Sequence, residues 1–440
     1  MLWIILAAIF AANVAHADVS PPRPVAPDHG GTAVVVTGPV EVVFDWSEDN
    51  CYVAQIPDLP VRAFRDGDDQ VNLILSHTAA HRMRGPDFGS LVLDCAPVSG
   101  SRKLPDPESY ADQEWIAAVY SEDGQTVHAL IHNEFQGNWK SHEVCATRDY
   151  FKCWMNSITY ARSDDGGATY VALDPPDHLV ASLPDRYHPD EGIYGLFSPS
   201  NIIKRDGYYY AYLKAQTYPL ELQHVCLMRT QALDDPKSWR FWDGRAFEGV
   251  FVDPYRDDPN VVERTPNCAP IALPQIAEMY EGITWNTHLG KFVLVGTSSD
   301  PTQEPNLFGF YYAFSDDLIT WSHRQPLLHA RLPWRSDGSQ TNYAYPTLID
   351  HQSPSRNFET TGATGYLYLT RNNAGHGSLD RDLLRFPVEF RQPNRGEACE
   401  APPNCRYIAH SIGGRHARTH LPTRPHRHVV GHGPDPPLGP

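Results

Sequence analysis

Polar and apolar residues alternate along most of this chain in strand-length runs, and the runs come in pairs separated by short turns. Five segments repeat one pattern: a polar or acidic residue, an apolar strand, a turn, then a second β-rich strand. They are DLPVRAFRDGDDQVNLILSH from Asp58, EWIAAVYSEDGQTVHALIHNEF from Glu114 and SPSNIIKRDGYYYAYLKAQ from Ser198. EGITWNTHLGKFVLVGTSS from Glu281 and the looser NYAYPTLIDHQ…GYLYLTRNN from Asn342 complete the set. In the first four, the turn glycine (Gly67, Gly124, Gly207, Gly290) follows the leading residue by 9 or 10 positions. Asp-Gly between β-branched and aromatic runs favours a tight hairpin, because glycine supplies the positive φ that the turn needs.

A second kind of turn recurs further along the units. Ser163-Asp164-Asp165-Gly166-Gly167-Ala168-Thr169-Tyr170 fits an S-x-D-x-G-x-T-[WY] box. Ser315 to Trp321 is a shortened relative, and Arg229 to Trp239 resembles a third. The aspartate can accept hydrogen bonds from the turn backbone while the aromatic packs beneath it, so these boxes are structural. Leading positions are 56, 84, 83 and 61 residues apart, which suits four-stranded units with variable loops. The expected fold is all-β, a five-bladed β-propeller over residues 18–397, with a β-sandwich as the alternative. Thr32–Trp46 reads as strand and would complete the last blade, closing the ring and removing its open edges.

Composition narrows the function. The chain has 440 residues and a formal net charge of −17, so nucleic acid is not an expected partner. A neutral or cationic ligand fits better. The apolar run Leu2–Val14 leads to Ala15-His16-Ala17, a small-x-small site, so residues 1–17 read as a signal peptide. That run is too short to span a bilayer and no later one is apolar enough, so a secreted or periplasmic protein free of the membrane is expected. All eight cysteines follow the cleavage site, an even count that favours disulfides in an exported chain. Cys145/Cys153 and Cys399/Cys405 are close enough to close local loops. Cys51/Cys95 and Cys226/Cys268 are then the natural remaining pairs, although spacing leaves the connectivity open. Residues 398–440 are rich in His, Arg, Pro and Gly and read as a disordered tail. His426, His428 and His432 lie in that tail, and no metal site or cofactor is expected. The sequence leaves the oligomeric state open.

In a propeller each innermost strand begins beside the central channel, and its hairpin partner returns to the same face. The leading residues Asp58, Glu114, Ser198, Glu281 and Asn342 are therefore expected around one mouth. The ends of the second strands should join them: His77, His132-Asn133-Glu134, Lys214, Gln216, Ser298 and Arg371-Asn372-Asn373. Arg62 interrupts the first inner strand, and Asn201 follows Ser198. Trp115, Trp285 and Tyr345 lie near strand starts, where an aromatic face can stack on a sugar. There is no G-x-S-x-G elbow, H-E-x-x-H, P-loop or dinucleotide fingerprint.

Taken together, the hairpin after Asp58, Ser198-Pro199 with Asp206-Gly207-Tyr208-Tyr209-Tyr210, Glu281-Gly282 and the box at Ser315 resemble the five-bladed glycoside hydrolases of family 43, of arabinanase and xylosidase type. The resemblance spans roughly Asp58 to Asn373. It implies a carbohydrate substrate, with Asp58 as general base and Glu281 as general acid. Ser198 stands where the family carries a pKa-tuning Asp before Pro, and Ile283 where it carries the Pro of E-G-P. Glu114 is a candidate third carboxylate, since crowding of like charges would raise a neighbour's pKa. Arg62, His77, His132, Asn133, Glu134, Asn201, Trp285, Tyr345 and Arg371 are candidate substrate contacts. Two functions follow: a secreted glycoside hydrolase using carboxylate acid–base chemistry, or a non-catalytic carbohydrate-binding propeller.

Overall fold

The alternating runs become strands, and helix is confined to short turns, of which Pro259–Arg264 is the longest among the described residues. The structure is a computed structural model that describes residues 21–27, 31–219, 222–300, 307–333, 340–375 and 377–393. The expected signal peptide, the tail with its histidines, and Cys399 and Cys405 lie outside the described residues.

After β1 (Ala33–Val36) and β2 (Glu41–Phe44), the first strand set is β3 (Arg62–Arg65), β4 (Val71–Leu75) and β5 (Ala79–Gly85). The second is β6 (Gln113–Tyr120), β7 (Val127–Gln136) and β8 (Cys153–Ser163). The third is β9 (Gly192–Phe197), β10 (Ile203–Arg205), β11 (Tyr208–Gln216) and β12 (Gln223–Thr230). The fourth is β13 (Gly282–Asn286), β14 (Lys291–Asp300), β15 (Leu307–Ser315) and β16 (Gln325–His329). The fifth is β17 (Asn342–Ile349), β18 (Thr364–Asn372) and β19 (Arg381–Arg391). Neighbours within each set pair antiparallel, apart from β9 and β10, which both pair with β11. Pro199 explains that split, since it has no N–H for the ladder and restricts the residue before it.

The described strands form four sheets rather than the two facing sheets of a sandwich. Sets two and three share one eleven-stranded sheet through a parallel seam of Cys153–Asn156 against Gly192–Gly195. The N-terminal strands join the fifth set, as expected, but on its outer strand: β1 and β2 both pair with β19, and β19 with β18.

Apolar residues on both faces of each set pack against the neighbouring sets. Phe64 and Ile74 meet Ile116 and Ile131, while Leu130 and Tyr160 meet Leu213 and Met228. Tyr212 and Leu227 meet Phe292 and Leu294, and the alternate Val293 and Val295 meet Leu348 and Leu367. Leu73 and Leu75 then meet Ile349 and Leu383, joining the fifth set to the first. Each such side chain contributes roughly 1.5–3 kcal/mol by leaving water.

Disulfides join Cys51–Cys95, Cys145–Cys153 and Cys226–Cys268. The box turns behave as structural braces. Asp165 accepts from the Ala168 and Thr169 backbone, Asp317 from Ile319 and Thr320, and Tyr170, Trp239 and Trp321 are buried.

Candidate functional site

The register of the second set builds one wall of a cavity. Trp115 lies opposite His132, Glu134 opposite Asn156, and Gln136 opposite Trp154. A period of two then places Trp115, His132, Glu134, Gln136 and Trp154 on one face. That face lines a cavity of about 330 Å³, completed by Asp58, Leu59, Asn138, Trp139, Tyr150, Tyr345 and Arg381.

Asp58 is held by two groups from the fifth set. The Tyr345 hydroxyl donates to its Oδ1 at 3.1 Å, and the Arg381 guanidinium is ion-paired with the same oxygen. Burial alone would lower the Arg381 pKa, but Asp58 and Tyr345 hold it above its ordinary value. Tyr345 reaches in because β17 bulges between Ala344 and Thr347, where Tyr345 takes φ 62°. A tyrosine in the left-handed region costs roughly 1–3 kcal/mol, which the surrounding contacts must offset. His77 Nε2 lies 4.0 Å from Asp58 Oδ2, and burial lowers its pKa.

Glu134 is the other carboxylate in this cavity. Its Oε1 lies 3.0 Å from His132 Nε2, and its Oε2 accepts from Gln136 Nε2 at 2.6 Å and the Tyr150 hydroxyl at 3.3 Å. Burial, then the charges of Glu134 and Asp58, push the Tyr150 pKa well above its usual range. Tyr150 therefore stays a neutral hydrogen-bond donor facing two carboxylates.

Trp154 and Tyr345 also line a neighbouring cavity of about 650 Å³. Glu281 lines it with Tyr280 and Thr297, as do Lys214, Gln216 and Ser298 from the expected strand ends. The Glu281 carboxyl accepts from Thr297 N at 2.9 Å, Thr297 Oγ1 at 2.5 Å and Tyr280 N at 3.0 Å. Burial nevertheless raises its pKa. Gly296 makes room for the carboxyl, since a Cβ there would collide with Glu281 Oε2. Ser198 Oγ lies 3.3 Å from the Tyr280 hydroxyl, one residue from Glu281.

Several expected site residues lie elsewhere. Glu114, expected beside Asp58, is on the opposite face of β6 from Trp115, where Arg102 Nη2 binds its Oε1 at 2.7 Å. Asn133 alternates away from the cavity in the same manner, bonding Asp112 N and Ser157 Oγ. Asn201 clamps the backbone N and O of Ile283, Arg371 pairs with Asp382, and Trp285 packs against Phe292 under Arg205.

Arg62 is sealed from solvent rather than turned toward a ligand. Its guanidinium donates to Ala117 O at 2.7 Å, Pro199 O at 3.2 Å, Glu281 O at 2.9 Å and Thr347 Oγ1 at 3.3 Å. Burial brings its pKa down to about 9.

Sequence reasoning missed Gln136, Trp139, Tyr150, Trp154 and Arg381. Counting by twos from Glu134, and across the β7–β8 register, would have found Gln136 and Trp154. Trp139 and Tyr150 sit in a loop, and Arg381 in a third strand, where the hairpin repeat carries no signal.

No protein-family model matches this sequence, and no curated protein matches it. Among solved structures it resembles a glycosyl hydrolase from Bacteroides ovatus, at 10% identity and TM-score 0.44, covering 83% of this chain and 96% of that one. It also resembles the GH43_1 enzyme from Xanthomonas citri complexed with xylotriose, at 15% identity and TM-score 0.43, covering 78% and 91%. A third is a putative exo-beta-1,3-galactanase from Bifidobacterium bifidum, at 11% identity and TM-score 0.41, covering 78% and 93%.

Proposed function

We propose that this chain is a five-bladed propeller that binds a saccharide in the Asp58 cavity and hydrolyses a glycosidic bond. The observation that carries the reading is one aromatic-walled cavity with carboxylates on its lining: Trp115, Trp139, Trp154 and Tyr150 surround Asp58 and Glu134. Indole and phenol rings offer flat apolar faces to the C–H faces of sugar rings, while carboxylates accept from hydroxyls. The five-blade count is supported by Arg62, whose side chain reaches each of the other four sets, and by the cyclic order of the packing. Export is supported by the three disulfides, which persist in oxidising compartments. No helix among the described residues is long and apolar enough to cross a membrane.

Hydrolysis requires a proton for the leaving oxygen and a base for the attacking water. Glu281 is assigned the first task, because burial lets it hold a proton to higher pH than an ordinary glutamate. Asp58 is assigned the second: it takes a proton from water as the oxygen attacks the anomeric carbon. Glu281 protonates the departing oxygen, so water is divided between the two products. Asp58→Asn and Glu281→Gln should each lower turnover by about 10²–10⁴ while keeping substrate binding. Reducing-sugar release over a polysaccharide panel identifies the substrate. Its rate should fall as pH rises through the raised Glu281 pKa. Full activity in both variants would overturn the assignment and pass the chemistry to Glu134.

A second reading, binding without hydrolysis, is favoured by the ion pair on Asp58 and the three internal donors on Glu281. Saccharide binding by calorimetry with no product from any bound sugar would select it.

A further inference from the structure

The loop between β7 and β8 exposes two large aromatic side chains, Trp139 at 74% and Phe151 at 63%. Exposed rings that join a contiguous apolar patch mark a surface that binds something. Yet the loop is firmly held. Cys145–Cys153 closes it, the Asp190 carboxylate accepts from the backbone N–H of Ala146 and Thr147, and Lys140 pairs with Asp112 at 2.7 Å. The Tyr187 hydroxyl donates to Val144 O at 2.9 Å, and Arg148 to Asn138 O at 3.0 Å. A ligand landing on this loop therefore loses little free energy to ordering it.

The rings also form a connected row. Phe151 meets Tyr150 with centroids 5.2 Å apart, Tyr150 stacks on Trp154 at 4.6 Å, and Trp154 meets Phe197 at 5.7 Å. Tyr150 lines the Asp58 cavity, Phe197 lines the Glu281 cavity, and Trp154 lines both. Trp139 stands at the Asp58 cavity as its most exposed aromatic wall. The row thus leads from an exposed loop past one carboxylate site to the next.

From this we infer that the ligand is an extended oligosaccharide or polysaccharide chain, which occupies both cavities and continues over Trp139. Trp139 is then a specificity residue that reads chain length, not a participant in bond cleavage. The inference rests on the saccharide reading of the cavity and adds the class of substrate to it.

The test uses soluble xylo-, arabino-, galacto- and cello-oligosaccharides from disaccharide to hexasaccharide, with the full chain carrying its disulfides. For the series that is cleaved, KM should fall as the chain lengthens. Trp139→Ala should raise KM for the hexasaccharide about five- to tenfold, the worth of one stacking contact, with a much smaller change in kcat. Trp139→Tyr, which keeps a flat ring, should restore most of the loss. If a series is cleaved with KM independent of length, or if Trp139→Ala leaves the length dependence intact, this inference falls and the hydrolase reading stands. If no oligosaccharide is bound or cleaved, both fall.

Discussion

Glu359 offers a test of the fold that needs no substrate. It lies on the segment Ser353–Thr361, between β17 and β18, which ties the fifth set to others. Arg356 donates to Arg65 O and Asp66 O of the first set, and Asn357 Oδ1 accepts from Ser121 N of the second. The Glu359 carbonyl accepts from Trp285 N of the fourth. The carboxyl of Glu359 receives the Tyr120 hydroxyl at 3.3 Å and Ser355 Oγ at 3.4 Å, and its Oε2 is sealed from solvent. Burial outweighs these bonds and pushes its pKa from 4.5 up to about 7.

The folded protein therefore keeps this proton to higher pH than the unfolded chain does. Stability from this residue is intact below pH 4.5, declines as pH rises to about 7, and stays lower beyond it. The shift corresponds to about 3 kcal/mol at full extent. Glu359→Gln removes the charge and keeps the acceptor, at the expense of about 1 kcal/mol for an amide that fits the donors less well. The variant should gain about 2 kcal/mol over the parent near pH 8 and lose up to about 1 kcal/mol near pH 4. Urea unfolding followed by tryptophan fluorescence at both pH values measures this. An equal difference between variant and parent at the two pH values would refute the burial of that carboxyl.

Three further outcomes follow from the central arginine and the disulfides. Arg62→Met should cost about 3–5 kcal/mol in urea unfolding, because acceptors from all four other sets lose a buried donor; a loss below about 1 kcal/mol would contradict a central brace. Cys145→Ser with Cys153→Ser should cost about 2.5 kcal/mol, the loop entropy for a sequence separation of 8. Peptide mapping without reductant should recover Cys145–Cys153, Cys51–Cys95 and Cys226–Cys268 as linked pairs, and free thiols at those positions would contradict the redox reading.

The all-β class was legible because hairpin chemistry is local: Asp206-Gly207, both at positive φ, announces its turn without help from distant residues, while in the turn after Asp66 the positive φ falls on Asp69 rather than Gly67. The seam between sets two and three was not, since parallel pairing of Cys153–Asn156 with Gly192–Gly195 joins segments that share no turn. The site divides on the same line. His132, Glu134 and Tyr345, expected near Asp58 from their places at strand ends, do line its cavity, whereas Arg381 reaches Asp58 across 323 positions of sequence. Glu114 and Asn133 show the cost of reading a strand end as a block, because adjacent residues point to opposite faces. Arg62 stood out as an anomaly in an apolar strand, but three of its four acceptors are backbone carbonyls, which no residue pattern reveals.

In the proposed reaction, unlike surroundings are what suit Asp58 and Glu281 to different roles, more than their shared position at the head of a hairpin. Acid and base must differ in proton affinity at one pH, so the protein has to hold two similar carboxyls in dissimilar environments. Asp58 is ion-paired with the guanidinium of Arg381. Glu281 is buried with the neutral donors Tyr280 and Thr297 on its oxygens, and burial prevails in raising its pKa. Glu134 shares the Asp58 cavity but is held by Gln136 and Tyr150, with His132 beside it, a set suited to gripping a polar ligand. Tyr345, in the wall of both cavities and bonded to Asp58, is where the two environments meet. In the proposed reaction, a glycosidic bond beside that ring would be reached by Asp58, assigned as base, from one cavity and by Glu281, assigned as proton donor, from the other.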